Sequence, residues 1–141
     1  MMAHVRLATV SALLAAVWAA PAAFAQPGRA LNCADPQFQA EMNMCAEADY
    51  ETASAEMNAV YDQAIAQYRE QDRTYAEADP QYTGAEKLLI ESQKSWIASS
   101  AAFCSAQSVA FFGGSLRPTV HYSCLARLTR NRTEELQSLL E

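Results

Sequence analysis

Apolar side chains recur every three or four residues through the segment 44–78, which is the spacing of one face of a helix. Polar residues fill the positions between them. Asp79-Pro80 ends the pattern, because a residue before proline avoids the α region. A long helix is therefore predicted from about residue 44 to residue 78, and its apolar stripe is Tyr50, Ala53, Met57, Tyr61, Ala64 and Tyr68.

A shorter helix is predicted just before the long one. Asp35 is a good N-cap, and Pro36 suits the first helical position, where no backbone N–H is needed. This helix should run to about Met42, and Asn43 is predicted to break it from the long helix.

The next helix is predicted to begin at a capping box, with Thr83 as N-cap and Glu86 three residues later. It should run to about Ala110 and stop at Gly113-Gly114. Its helical stripe is Leu89, Gln93, Trp96, Ser100 and Phe103.

Pro118 can open the last helix, whose apolar side chains include Val120, Leu125, Leu128 and Leu136. Strand-like alternation is absent from residues 26–141. The fold class predicted is all-α: a single domain of residues 26–141 that forms a small antiparallel helical bundle or a long helical hairpin.

Trp96 and Tyr61 are the predicted core anchors of this bundle, since each lies on the apolar stripe of its helix. An alternative is that the tyrosine stripe of the long helix forms a partner-binding face.

The first 25 residues have the layout of a secretory signal peptide. Arg6 precedes an apolar run from Leu7 to Ala20, and Ala23-Phe24-Ala25 supplies the small-residue cleavage pattern. The run is short for a membrane-spanning helix, which needs about 20 residues. The sequence predicts a periplasmic or secreted protein with no membrane anchor after cleavage.

The excess of acidic over basic residues argues against some classes of function. The net charge is −6, and removing residues 1–25, which contain Arg6 and no acidic residue, leaves −7. Nucleic-acid binding, which needs a cationic face, is therefore not expected. Of the two histidines only His121 lies beyond the signal segment, so neither a metal site nor a cofactor site is expected.

Four cysteines in an exported chain predict two disulfides. Three pairings are possible, and the nearest-neighbour pairing is Cys33–Cys45 with Cys104–Cys124. The second bridge suits a chain that turns back at Gly113-Gly114, whereas the first needs a bend between Cys33 and Cys45. No Cys-x-x-Cys motif is present, so zinc binding and redox catalysis are disfavoured.

Several short motifs follow one another in a fixed order along the mature chain. In the first half they are Cys33, Glu41-Met42-Asn43-x-Cys45-Ala46, Tyr50 and Met57-Asn58-x-x-Tyr61. In the second half they are Ser92-Gln93-x-x-Trp96, Cys104, Gly113-Gly114-Ser115-Leu116, Cys124-Leu125, Leu128-Thr129-x-x-Arg132 and Leu136. The ordered set resembles the lysozyme inhibitor LprI family from about residue 33 to residue 136.

The resemblance implies a secreted α-helical protein of a family in which at least one member inhibits lysozyme, and a basic lysozyme is the expected partner. One departure stands out. Members of the family often carry an Arg-Asp pair ahead of the third cysteine, where this chain has Ser99-Ser100-Ala101-Ala102. The ion pair that the resemblance implies near Cys104 is therefore predicted to be absent, and Arg132 to have lost that carboxylate partner.

Two functions follow as hypotheses. The first is inhibition of lysozyme by occlusion of its cleft, with Gly113, Gly114, Ser115 and Arg117 as the partner-binding residues. The same turn could instead serve only to reverse the chain. The second function is an envelope protein-interaction module with another partner.

Enzymatic activity is not expected, since acidic pairs such as Glu47 with Glu51 look like solvated helix faces, and no catalytic residue is assigned. The oligomeric state is left open.

Overall fold

Three helices make up most of the described chain. The computed structural model describes residues 31–141, so the predicted signal segment 1–25 lies outside the described residues. The helices are α1 (Gln39–Ala78), α2 (Ala85–Ser108) and α3 (Arg117–Gln137). Short 3₁₀ turns, Pro80–Tyr82 and Val109–Phe111, follow α1 and α2, and no strand occurs within the described range. The predicted all-α fold class is confirmed.

Consecutive helices run in opposite directions, so α1 and α3 run the same way. Asn43 and Thr119 meet near the beginnings of α1 and α3. Near the other end, the Gln67 side chain of α1 donates to the carbonyl oxygen of Leu139 beyond α3. The result is an antiparallel three-helix bundle in which the first and third helices pack along each other.

The predicted break at Asn43 is wrong, because α1 is continuous from Gln39. An asparagine inside a helix is unfavourable mainly when its side chain competes for nearby backbone groups. Here the side-chain oxygen of Asn43 accepts hydrogen bonds from the backbone N–H and the hydroxyl of Thr119, and its nitrogen donates to the carbonyl of Ser115. These distant partners remove the competition, so the helix passes through residue 43.

Both disulfides join cysteines that are neighbours along the chain. The Cα atoms of Cys33 and Cys45 are 5.4 Å apart, and those of Cys104 and Cys124 are 5.5 Å apart. The first bridge is possible because the chain before α1 is not helical and folds back on the first turns of that helix. The second joins α2 to α3 and lies in the core, where both of its cysteines are buried.

The predicted capping box at the start of α2 is also wrong. Gly84, with a φ of +111°, is the residue before the helix, and the Thr83 hydroxyl donates to the carbonyl of Pro80 instead of accepting from α2. The side chain of Glu86 forms a salt bridge with Arg69 of α1 at 2.7 Å. Neither Thr83 nor Glu86 is therefore available to cap α2.

The carboxylate of Asp72, a residue of the neighbouring helix α1, caps the N-terminus of α2 instead. It accepts hydrogen bonds from the backbone N–H groups of Gly84, Ala85 and Glu86, each at 3.0 Å. A carboxylate at this position satisfies orphan donors and interacts favourably with the positive end of the helix dipole. Partial desolvation raises the pKa of Asp72, but the three N–H donors outweigh it and the net shift is downward.

The core lies where the predicted stripe of α1 meets the other two helices. Ala53, Met57 and Ala64 of the stripe are buried, and Leu136 of α3 is fully buried. Around Met57, Ala64, Leu89 and Leu136 pack partly buried side chains: Val60, Tyr61, Ile65, Tyr68, Trp96, Leu139 and Leu140. Trp96 and Tyr61 thus contact the core from its edge.

The predicted helix start at Pro36 with Asp35 as N-cap is wrong, because α1 begins at Gln39, but two other helix ends lie where proline was predicted to set them. α1 ends at Ala78, directly before Asp79-Pro80, and Pro118 lies in the first turn of α3. None of the helices within residues 31–141 is both long and apolar enough to cross a membrane.

Leu136→Ala should lower the free energy of unfolding by about 2–5 kcal/mol, because it empties a fully buried position in the core. Urea denaturation followed by circular dichroism measures this change. Leu88→Ala is the matched control: Leu88 is 68% exposed, and its loss should change stability by less than about 0.5 kcal/mol. Equal effects of the two substitutions would contradict the position of the core.

Asp72→Asn should lower the melting temperature at pH 7. It should also make the melting temperature fall less between pH 7 and pH 3 than it does in the wild type. The folded pKa of Asp72 lies below its unfolded value, so its contribution is present at neutral pH and is lost as pH falls through the folded pKa, below about pH 4. Thermal denaturation at pH 7 and pH 3 measures the difference. Asp62→Asn, an exposed change on the same helix, should behave like wild type.

Candidate interaction site

The tip loop, residues 109–117, connects α2 to α3 at one end of the bundle. The chain turns tightly here, since the N–H of Gly114 donates to the carbonyl of Phe111 at 2.9 Å. Gly113 has a φ of +77°, a conformation that strains residues with a side chain. A Cβ on Gly114 would lie 3.2 Å from the Phe111 oxygen. A side chain at either position would therefore strain this turn.

Exposed apolar side chains surround the turn. Phe112 is 78% exposed and Val109 is 58% exposed, and Phe111 and Leu116 also face solvent. Contiguous exposed apolar surface is typical of interaction sites. The glycines were predicted from the sequence as partner-binding residues and Phe112 was not, although the adjacent phenylalanines before Gly-Gly were a visible signal.

Arg117 lies at the end of the tip loop with its guanidinium 5.2 Å from the centre of the Phe112 ring, a cation–π contact. Within residues 31–141 no carboxylate forms a salt bridge with it. Its charge is therefore available to an anionic group of another molecule.

Side chains of α1 hold the tip loop in place. Asn43 donates to the carbonyl of Ser115 at 3.1 Å and accepts from the N–H of Thr119 at 3.2 Å. Gln39 donates to the hydroxyl of Thr119 at 2.9 Å and to the Asn43 oxygen at 3.0 Å. The loop is therefore anchored at its C-terminal side, while Phe112 and the glycines project beyond the anchor.

A groove of about 360 Å³ lies beside the tip loop, between the end of α2 and the start of α3. The Cys104–Cys124 disulfide connects the two helices next to it. Its lining residues are Ser105, Ser108, Arg117, Pro118, His121 and Tyr122. Arg117 thus belongs to both the tip loop and the groove.

Charge is divided between two parts of the chain. Residues 92–133 contain no Asp or Glu, and residues 31–68 contain no Lys or Arg. The cationic residues of the first segment are Lys94, Arg117, Arg127, Arg130 and Arg132. The tip loop and the groove therefore belong to a cationic part of an acidic protein.

The two charged parts meet at Tyr122. A hydrogen bond from its hydroxyl to Glu47 of α1 raises the pKa of Tyr122, and desolvation and the nearby charge of Glu51 act in the same direction. The ring of Tyr122 also contacts those of Tyr50 and His121, with centroids 6.1 Å and 5.6 Å apart.

Glu47 and Glu51 are exposed on α1, and neither lies in a closed cavity. Among residues 31–141, no group of three His, Cys, Asp or Glu side chains is arranged to hold a metal ion. What the arrangement offers chemically is therefore a contact surface with hydrogen-bond donors and a cation.

The sequence profile of the lysozyme inhibitor LprI matches residues 32–136, about three quarters of the chain. The chain belongs to the lysozyme inhibitor LprI family. It is also similar to an uncharacterized protein of Rhizobium meliloti (strain 1021), with 34% identity over 122 residues that cover 86% of each chain. No solved structure matches it.

Family membership confirms the resemblance seen in the motifs, and Arg132 has partners that the motifs did not indicate. Its guanidinium is paired with Glu135 one turn away at 2.8 Å, and it also donates to Gln93 and Ser92 of α2, each at 3.0 Å. The Arg132 side chain is only 11% exposed. A local glutamate and two polar α2 residues therefore satisfy this arginine, and it joins α3 to α2.

Asn43→Ala should lower the free energy of unfolding by about 1–3 kcal/mol. The substitution removes the hydrogen-bond partner of the Ser115 carbonyl and of the Thr119 N–H and hydroxyl. Hydrogen exchange of the Thr119 amide should accelerate more than that of amides in the middle of α3. Asn58→Ala, an exposed change on α1, is the matched control. Unchanged protection at Thr119 would show that Asn43 does not anchor the loop.

Proposed function

We propose that this protein is a periplasmic or secreted inhibitor of lysozyme that occludes the lysozyme cleft and performs no catalysis. Membership of the lysozyme inhibitor LprI family supports the partner class. The two disulfides support an oxidising location outside the cytoplasm. The observation that carries the mode of binding is the projecting, acid-free tip loop.

The chemistry of the tip loop complements a glycosidase cleft. Lysozyme works with two carboxylates that flank the scissile bond, so its cleft attracts cations and hydrogen-bond donors. The loop presents the unpaired guanidinium of Arg117 and the exposed hydroxyl of Ser115. Gly113 and Gly114 keep the turn narrow, so the backbone can approach the cleft closely.

The remaining charge would favour encounter with a basic lysozyme. The chain has a net charge of −6, and the acidic residues of α1 lie away from the tip loop in sequence. Complementary charge steers association and increases the on-rate. The acidic helix attracts the partner while the cationic loop contacts the cleft carboxylates.

The mature chain should inhibit hydrolysis of bacterial cell walls by a basic lysozyme at micromolar concentration. Arg117→Ala should raise the inhibition constant about tenfold or more, since a hydrogen bond between charged groups contributes about 1.5–3 kcal/mol. Ser115→Ala should raise it by a smaller factor. Arg127→Ala removes an exposed arginine of α3 outside the loop and is the matched control.

Unchanged lysozyme turnover at micromolar excess of folded protein would overturn the proposal. Inhibition that Arg117→Ala and Arg127→Ala weaken equally would place the contact outside the tip loop. If a pull-down from periplasmic extract recovers a native envelope protein in place of lysozyme, the alternative is favoured: an envelope protein-interaction module.

A further inference from the structure

The groove between α2 and α3 shares Arg117 with the proposed lysozyme contact, but its other lining groups have no part in that contact. Its walls combine a cation, an imidazole and two hydroxyls with the apolar surfaces of Pro118 and Tyr122. Its volume of about 360 Å³ lies at the lower end of the range for small-molecule sites. It is therefore large enough for a small-molecule ligand.

Several polar groups of the groove are not fully used by hydrogen bonds or salt bridges within residues 31–141. Arg117 has no salt bridge among the described residues. His121 contacts the Tyr122 ring edge-on and makes no hydrogen bond within residues 31–141. The hydroxyl of Ser108 donates to the carbonyl of Ser105, and its lone pairs remain free. Two nitrogen-bearing side chains, Arg117 and His121, thus line one groove without a salt bridge or hydrogen bond from residues 31–141.

Backbone groups of the adjacent helix start do not compete for the same ligand. Among the first residues of α3, the N–H groups of Arg117, Thr119 and Val120 donate to Gly114, Asn43 and Leu116, respectively. Pro118 has no N–H to offer. Recognition in this groove must therefore come from side chains.

We propose that this groove is a binding site for a small organic carboxylate. The planar guanidinium of Arg117 matches the geometry of a carboxylate in a bidentate pair. An N–H of the His121 imidazole is a second donor. Pro118 and the Tyr122 ring contact the apolar part of the ligand, which inorganic anions lack.

The rigid walls of the groove support this assignment. Cys104 and Cys124 join α2 and α3 beside the groove, and Asn43 holds the Ser115 end of the tip loop. A preorganised site loses less entropy when the ligand binds. The guanidinium also keeps its contact with Phe112, which restricts its orientation before binding.

His121 is the only histidine in the segment 26–141, which makes its imidazole a unique NMR probe of the groove. The experiment titrates the mature chain with benzoate, with the isosteric neutral compound benzamide, and with inorganic phosphate. Benzoate should shift the His121 resonance saturably, and benzamide and phosphate should bind at least about tenfold more weakly. Lysozyme is absent, so the result does not depend on the proposed function.

Arg117→Gln should weaken benzoate binding at least about tenfold, whereas Arg127→Gln should leave it unchanged. A His121→Gln variant, followed through the backbone amides of Ser105 and Ser108, should also bind benzoate more weakly. The proposal is overturned by a linear shift without saturation, by equal binding of benzamide or phosphate, or by an Arg117→Gln variant that retains the affinity of the wild type. Circular dichroism confirms that each variant is folded.

Discussion

The Cys104–Cys124 disulfide fixes the end of α2 against the start of α3, and the tip loop and the groove depend on that geometry. Both cysteines are buried in a cluster with Leu125, which Tyr50, Tyr122 and Leu128 cover. The bridge closes a loop of sequence separation 20, which corresponds to about 3 kcal/mol in the chain-entropy model. For a bundle with a core of few large side chains, this is a substantial share of the usual stability of a small domain.

Helix α1 is the frame on which the other helices are positioned. Alanines at 46, 53 and 64 let α2 and α3 approach its backbone closely. Polar side chains on α1 then determine the ends of the other helices: Asp72 caps α2, and Asn43 holds the start of α3. Stability and site geometry are therefore connected through the same helix.

The separation of charge connects structure to function. The acidic helix α1 and the acid-free segment 92–133 pack against each other, with Asp49 paired to Arg130 and Glu47 hydrogen-bonded to Tyr122. Long-range attraction depends on the net charge, whereas contact depends on the local groups. In the proposed function, the net charge steers the encounter with a basic lysozyme and Arg117 contacts its carboxylates.

The helical architecture followed from local signals. The spacing of apolar residues predicted the long helix, and Asp79-Pro80 predicted its end at Ala78. Gly113-Gly114 and Pro118 similarly predicted the turn and the start of the last helix. Such signals act within a few residues, because backbone conformation depends on neighbouring side chains and on the periodicity of one helix.

Only the tertiary structure decided how polar groups pair. The Thr83–Glu86 capping box was plausible locally, yet a carboxylate twelve or more residues earlier binds the N–H groups instead. The predicted helix break at Asn43 was wrong because a partner of its side chain, Ser115, lies 72 residues away. Arg132 likewise donates to Gln93, a partner that the motif did not indicate. The groove depends in the same way on which faces of α2 and α3 meet. Hydrogen-bond partners are chosen by packing in three dimensions, so residues far apart in the chain satisfy each other only once the helices have assembled.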